Sequence, residues 1–292
     1  MKSVDKQSNR KAAFTIIELL TVMSIIVILI GLLVPSLNMA RRYAKKLMQR
    51  NQLRTIGIAI EFFNSEWDGY PPSSSLDGNG QPYCGAMKLC EAMLGQDLLG
   101  FHPDSIFNRD GTDNTGRQLY ETATQGSRKD LYLTLESADV YRMEDIYGTD
   151  NVSPFLPLSY VLCDVYAREV RTGEKIGMPI LYYKADASNK SHYDPDSPDP
   201  IEPTPEDNQN NIYNYYDNQE LVALGDPSEV PGSGEPPELS DIERFYKNIR
   251  NHKILRPARP FRENSFILIS AGFDGEYGTA DDICNFDWKY RE

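Results

Sequence analysis

The sequence has few of the residues that build most catalytic and metal centres. Among 292 residues there are four cysteines and three histidines. The cysteines stand alone, without a C-x-x-C pair, which argues against a zinc site. His102, His192 and His252 are scattered, and the chain has no H-E-x-x-H, G-x-S-x-G or phosphate-loop motif. We therefore expect a protein that is not an enzyme.

Basic side chains are in the minority. The chain has 30 lysines and arginines against 43 acidic residues, a net charge of -13 at pH 7. Residues 1–13 carry four basic side chains and one acid, Asp5, so the remainder is more acidic than the whole. A body of this charge repels phosphate backbones. The composition argues against a nucleic-acid partner and suits a water-facing domain that binds cations.

One long apolar run stands out, residues 14–34 (FTIIELLTVMSIIVILIGLLV), with Glu18 as its single charge. A helix needs roughly 20 apolar residues to cross a bilayer. The leucine, isoleucine and valine residues favour insertion by roughly 4–8 kcal/mol, and a carboxylate near one end costs less than about 3 kcal/mol. The run is too long for a secretory signal peptide, and no A-x-A site follows it. We expect a transmembrane helix over residues 14–35.

Three features follow a short basic leader, residues 1–13, at fixed spacing. The leader ends in a small residue, Ala13, and the apolar run starts abruptly at Phe14. Counted from Phe14, Glu18 is the fifth residue and Pro35 is the twenty-second. This arrangement resembles the class III signal of type IV pilins and type II secretion pseudopilins. One position departs from that pattern, because Ala13 stands where the family nearly always has glycine.

The resemblance implies how the chain is processed and assembled. In this family a prepilin peptidase cuts before the first apolar residue, here between Ala13 and Phe14, and methylates the new amine. Glu18 of one subunit would pair with the amine of Phe14 on its neighbour, since a lone charge in an apolar setting is costly. A proline at the position of Pro35 is frequent in this family. The implied partners are other pilin-like subunits, the prepilin peptidase, an inner-membrane assembly platform and membrane lipid.

The orientation of the span also rests on the resemblance. Lysines and arginines flank both ends of the apolar run, so the positive-inside rule leaves the topology open. The family implies a single pass through the bacterial inner membrane with a cytoplasmic N-terminus. The C-terminal domain would then lie in the periplasm or in an extracellular filament.

The helical pattern continues beyond the membrane, over residues 36–67. Leu53, Ile56, Ile60 and Phe63 recur at steps of three and four, which is one face of a helix. Asp68 and the glycine after it end the pattern. Two uses of this face are open, packing against the chain's own domain and packing against neighbouring subunits.

Residues 68–292 are predicted to form a small α+β head beside the long helix, as in pilins. The expected elements are helices over 86–99, 129–138 and 239–250, with Ser240 as the N-cap of the last, and strands over 159–170, 178–185 and 265–271. The first two strands suggest an antiparallel hairpin, and 265–271 is expected to be the last strand. Residues 187–240, rich in proline and acidic side chains, predict a long irregular insertion.

An acidic loop follows the last predicted strand. Asp274, Glu276, Asp281 and Asp282 bring four carboxylates together among three glycines, and the ordinary interpretation is an acidic surface turn. The loop also resembles the C-terminal loop of major type II secretion pseudopilins, which binds calcium. The resemblance implies Asp274, Asp281 and Asp282 as calcium ligands, with Glu276 a weaker candidate.

Export of the head would permit disulfides, because oxidising compartments preserve them. Cys84 and Cys90 are the most plausible pair, since the loop between them is short. The alternative is a set of free, partly buried thiols, and the sequence leaves both open.

Two functions from different classes follow. The first is a structural subunit of a type II secretion pseudopilus or a type IV pilus-like filament. The alternative is a membrane-anchored minor pilin-like module that binds a ligand or envelope component through the large head.

Overall fold

The computed structural model describes residues 15–197, 210–229, 238–254 and 257–286. The chain divides into two compact units, Met1–Ala44 and Lys45–Glu292. One helix, α1 (Ile16–Trp67), begins in the first unit and ends in the second. The leader and the predicted cleavage position before Phe14 lie outside the described residues.

The second unit adds five short helices and seven short strands in the described ranges. The helices are α2 (Gly85–Leu94), α3 (Leu135–Ala138), α4 (Met143–Tyr147), α5 (Gln219–Val222) and α6 (Ile242–Ile249). The strands are β1 (Val140–Arg142), β2 (Tyr160–Leu162), β3 (Arg168–Glu169), β4 (Lys175–Ile176), β5 (Leu181–Lys184), β6 (Phe266–Ser270) and β7 (Ile283–Cys284). All pairings are antiparallel, in the orders β1-β2, β3-β4 and β5-β6-β7. The fold is α+β.

The described part of the first unit, residues 15–44, is a largely apolar helix with no other element packed on it. Every described side chain from Thr15 to Ala44 is exposed, including the long run of leucines, isoleucines and valines. Helix α1 is long and apolar enough to cross a membrane, so it is a candidate membrane span near the N-terminus. Pro35 lies inside the helix, and the hydroxyl of Ser36 donates to the carbonyl oxygens one turn back, at Leu32 and Leu33.

In the second unit, residues 45–67 of α1 pack on the head. Leu53, Ile56, Ile60 and Phe63 are buried, so this face packs against the chain's own domain. Asp68 then takes a positive φ of 53°, which ends the helix.

The three-stranded sheet β5-β6-β7 is buried on both faces. Along β6, Phe266 and Leu268 point into the core beneath α1, while Ile267 and Ile269 point into a second core on the other face. Tyr182 pairs with Leu268 at the centre of the β5-β6 register. Strand β6 therefore contributes apolar side chains to both cores of the head.

The predicted hairpin of 159–170 with 178–185 forms in outline but is interrupted. Cys163 and Pro179 form an isolated antiparallel β-bridge, and β3 pairs with β4. Between these two pairings, after Asp164, the ladder of backbone hydrogen bonds is interrupted. The buried carboxylate of Asp164 accepts hydrogen bonds from the backbone N–H of Met178 at 3.2 Å and from the hydroxyl of Ser270 at 2.8 Å. A Cβ on Gly177 would overlap the Asp164 carbonyl, so only glycine allows this close approach.

Several predicted elements differ in bounds or order. The helices predicted over 86–99 and 129–138 form only as α2, which ends at Leu94, and α3, which begins at Leu135. The strand 265–271 is not the last, because β7 pairs with β6 after the acidic loop. Helix α6 is capped by Asp241 rather than Ser240: the Asp241 side chain accepts from the N–H of Glu243 at 2.9 Å, while Ser240 ends a short 3₁₀ turn. An aspartate and a serine are both good N-caps, so local sequence does not separate them.

The predicted irregular insertion, 187–240, is only partly irregular where it is described. Tyr213 and Leu221 are fully buried in the second core, and α5 lies within the segment. The polar composition of the segment gave no indication that these residues are buried. They are buried because the rest of the head surrounds them. Residues 198–209 and 230–237 of the segment lie outside the described ranges.

Candidate functional site

Glu18 takes part in a capping box at the start of α1. Its carboxylate accepts hydrogen bonds from the backbone N–H of Thr15 at 2.8 Å and from the Thr15 hydroxyl at 2.6 Å. In return, the Thr15 hydroxyl accepts from the N–H of Glu18 at 3.3 Å. This is the reciprocal arrangement of the S/T-x-x-E signature, here Thr15-Ile-Ile-Glu18. Sequence reasoning missed this second role for Glu18, although the signature is visible in the sequence.

The acidic loop is closed by Asp281. Its carboxylate accepts from the backbone N–H of Phe273 at 2.8 Å and of Asp274 at 3.0 Å, and the hydroxyl of Thr279 donates to it at 2.8 Å. Gly272 allows this closure because it has a φ of 70°, and a Cβ there would overlap the Asp281 carbonyl. The loop therefore folds back on itself through side-chain to backbone bonds.

Two of the four predicted calcium ligands lie together. The carboxyl groups of Asp274 and Asp281 are within hydrogen-bonding reach of one another; burial raises the pKa of Asp274, and the bond to Asp281 adds to it. Such a pair shares a proton or takes a cation between its members. Glu276 is exposed at the loop surface.

Asp282, the next predicted ligand, is buried. Its Oδ2 accepts from the N–H of Gly278 at 2.8 Å, while its Oδ1 is buried with no hydrogen-bond partner among the described residues. Burial raises the pKa of this carboxyl well above its usual range. Within the described ranges, no three His, Cys, Asp or Glu side chains form a group that could hold a metal ion. A calcium ion here would need Asp274 and Asp281 together with backbone carbonyl oxygens, which calcium accepts readily.

The cysteines are free thiols. Cys84 is the N-cap of α2 and Cys90 lies six residues further on, so their side chains are turned by about 240° around the helix. Cys84 packs in the second core and Cys90 in the core beneath α1. Burial raises the pKa of the Cys84 thiol to about 11. Of the two alternatives left open by the sequence, the structure has buried thiols and no Cys84–Cys90 disulfide, because α2 separates the two sulfur atoms.

A buried amide pair fastens α1 to the head. Gln49 donates to Gln52 at 2.9 Å and accepts from the backbone N–H of Val165 at 2.8 Å. Gln52 in turn donates to the carbonyl of Cys163 at 2.9 Å and to the carboxylate of Asp139 at 3.1 Å. We call Gln49 and Gln52 the amide clamp. The only sign of it in the sequence is that two polar residues lie next to the predicted apolar face of the helix.

A second polar cluster lies beneath the β5 strand. The hydroxyl of Ser73 donates to the fully buried carboxylate of Asp217. Burial raises the pKa of Asp217 to about 7. Nearby, the ammonium of Lys88 donates to the carbonyl oxygens of Ser74 at 2.7 Å and Leu76 at 2.8 Å. These groups hold the segment after α1 against the sheet.

Comparisons with models of protein families, with curated proteins and with solved structures found no match. The observations that bear on function therefore come from the chain itself. They are the exposed apolar helix with its single capped acid, the half of that helix clamped to an α+β head, and the closed acidic loop.

Proposed function

We propose that this protein is a structural subunit of a pilin-like filament, of the type II secretion pseudopilus or type IV pilus kind. The observation that carries the proposal is the exposed apolar part of α1, which bears a single carboxylate, Glu18, close to its beginning. An anchor needs no such acid, and an acid within an apolar span is a functional position by default.

Processing would create the partner for this acid. Cleavage between Ala13 and Phe14 by a prepilin peptidase leaves a positive, methylated amine four residues from Glu18. The capping box uses the Glu18 carboxylate within its own helix, and a carboxylate has acceptor sites to spare for a neighbouring subunit's amine. The pair would fix the axial register of neighbouring helices, with the head carried outside the membrane and the N-terminus in the cytoplasm.

The acidic loop would contribute to the head rather than to assembly. Asp274 and Asp281, with backbone carbonyls, would hold calcium and replace their shared proton by a divalent charge. The ion would tie β6 to β7 by locking the loop between them.

The deciding measurement is mass spectrometry of the mature N-terminus in cells with and without the prepilin peptidase. We expect an N-methylated Phe14 in the first strain and the intact leader in the second. An intact Met1 in a peptidase-positive strain that processes its other prepilins would overturn the proposal.

A further inference from the structure

The second unit carries a basic groove beside α1, formed by Lys46, Arg50, Arg54 and Arg262. The first three recur at steps of four and so lie on one face of the helix. They line a cleft of about 700 Å³ between α1 and the β7 edge, whose lining also includes one exposed acid, Glu61. All three are exposed, and none takes part in an ion pair within the described residues. Unpaired cations grouped in an acidic chain indicate an anionic partner.

Apolar side chains continue this surface. Ile58, which is 49% exposed, also lines the cleft, and Phe62, which is 62% exposed, follows one turn later along α1. A face that combines exposed apolar and cationic groups is typical of a protein interface, where apolar contacts lie next to charged ones.

The same unit carries an acidic patch, formed by Asp139, which precedes β1, by Asp145 in α4 and by Glu174 in the turn between β3 and β4. The hydroxyl of Thr172 donates to the carbonyl of Asp145 at 2.8 Å, which brings the β3–β4 turn and its Glu174 against α4. Burial raises the pKa of Tyr141, and the three negative charges add to the effect. Asp139 and Glu174 are exposed, and none of the three acids is in an ion pair among the residues described.

The groove and the patch lie on opposite sides of α1. Asp139 accepts from Gln52, so the patch adjoins the Gln52 side of the helix. Gln52 is two residues from both Arg50 and Arg54, a turn of about 200°. One copy can therefore accept a neighbour at its groove and offer its own patch to the next copy. Complementary surfaces on different sides form a heterologous contact, which propagates into an open filament unless the rotation closes.

We propose that the basic groove of one subunit binds the acidic patch of the next, as the contact between heads in the assembled filament. This contact rests on the proposed function and adds to it the surfaces that set the order of the heads. An anionic lipid would match the charge of the groove but would leave the acidic patch without a role.

The test is a charge exchange in the full chain, expressed in its host membrane. The groove variant is Arg50→Glu with Arg54→Glu. The patch variant is Asp139→Asn with Glu174→Lys; asparagine tolerates the positive φ of 41° at position 139 and still accepts from Gln52. A control, Lys190→Glu with Lys253→Glu, alters exposed lysines that neither line the cleft nor belong to the patch. Formaldehyde cross-linked multimers are measured by immunoblot, at equal amounts of membrane-inserted chain.

We expect each surface variant to reduce multimers at least about tenfold and the control to leave them unchanged. The variant that carries all four surface substitutions should form at least about threefold more multimers than either surface variant, because Glu174→Lys then offers a positive charge to the negative charges introduced at positions 50 and 54; misfolded heads would not recover. Wild-type multimers with unaffected surface variants would overturn this contact alone. A fourfold variant as defective as the groove variant would also overturn it, and would point to a lipid or another acidic protein. A wild-type chain without multimers would overturn the proposed function as well.

Discussion

The capping role of Glu18 in the structure and its proposed role in assembly can be separated by chemistry. As a capping acid it needs only an oxygen acceptor for the Thr15 N–H, which glutamine also supplies. As a partner for a neighbour's amine it needs a negative charge. Substitutions at this one position can therefore show whether assembly depends on the helix cap or on the negative charge.

We predict that Glu18→Gln inserts into the membrane normally but fails to form multimers, since it keeps the cap and loses the charge. Glu18→Ala should fail in the same way and also lose about 1 kcal/mol of helix-end stability. Membrane flotation measures insertion and cross-linking measures assembly, with Glu136→Gln, an exposed acid of the head, as the control. Normal multimers from Glu18→Gln would show that the carboxylate is only a cap.

Gln52 is the residue on which the attachment of α1 to the head depends most. Replacement by leucine fits the apolar surroundings but leaves the Cys163 carbonyl and the Gln49 amide without partners. Each buried group without a partner costs about 1–3 kcal/mol. We predict that Gln52→Leu lowers the melting temperature of the detergent-solubilised full chain by roughly 4–24 °C.

Tryptophan fluorescence of Trp67, at the end of the same helix, is a suitable measurement for that loss. Asn51→Leu is the matched control, because Asn51 is the exposed neighbour of Gln52 and its replacement should change stability by less than about 0.5 kcal/mol. Equal melting temperatures for the two variants would mean that the amide clamp does not hold the helix.

At the scale of elements, the acidic loop is the segment whose closure depends on pH and on the cations in solution. It connects β6 to β7, and its closure depends on Asp281. Asp274 and Asp281 repel each other when both are ionised, so a proton or a cation between them would stabilise the closed loop.

We predict that calcium raises the melting temperature of the full chain. At ten times the dissociation constant the gain is about 1.4 kcal/mol, or roughly 3–6 °C. Asp274→Asn should abolish the gain, whereas Glu276→Gln, at a second exposed acid of the same loop, should retain it. A differential scan in calcium and in chelator, with magnesium as the comparison ion, measures the effect; identical curves would exclude a calcium site here.

For the whole molecule, buried carboxyl groups make stability depend on pH. The pKa of Asp217 is raised by burial to about 7, and that of Asp164 to about 6. A carboxyl whose pKa is raised on folding stabilises the fold when protonated, and this contribution is lost as pH rises through the folded-state pKa. Burial lowers the pKa of His192 to about 4, which acts in the opposite direction. The pH dependence of the wild type therefore sums several groups, and the contribution of one group is obtained by comparing a variant that lacks it with the wild type.

We predict that Asp217→Asn becomes more stable relative to wild type as pH rises from 6 to 8. Asparagine still accepts from Ser73 but carries no charge to desolvate. The difference should grow by about 1 kcal/mol over this window, or roughly 2–4 °C. Thermal unfolding in detergent at three pH values measures it, with Asp110→Asn, an exposed aspartate, as the control. A difference that is independent of pH would place the Asp217 pKa outside the window.

The sequence by itself determined the elements whose signal is local. The apolar run after residue 14, the face from Leu53 to Phe63 and the strand around Leu268 are continuous or periodic patterns, and each became the element that its pattern predicts. The capping box at Thr15 and Glu18 was equally readable. Such signals survive because the period of a helix or strand is a property of the backbone.

The tertiary structure decided what depends on residues far apart in the chain. Asp164 interrupts its hairpin because Gly177 and Ser270 come close to it, and β7 exists because β6 offers an open edge. Tyr213, from a polar segment, is buried only because the head closes over it. The loop brought Asp274 to Asp281 and buried Asp282, whose pKa is raised by burial and further by the charges of those two acids. These outcomes depend on which groups exclude water together, and that is settled only when distant segments pack.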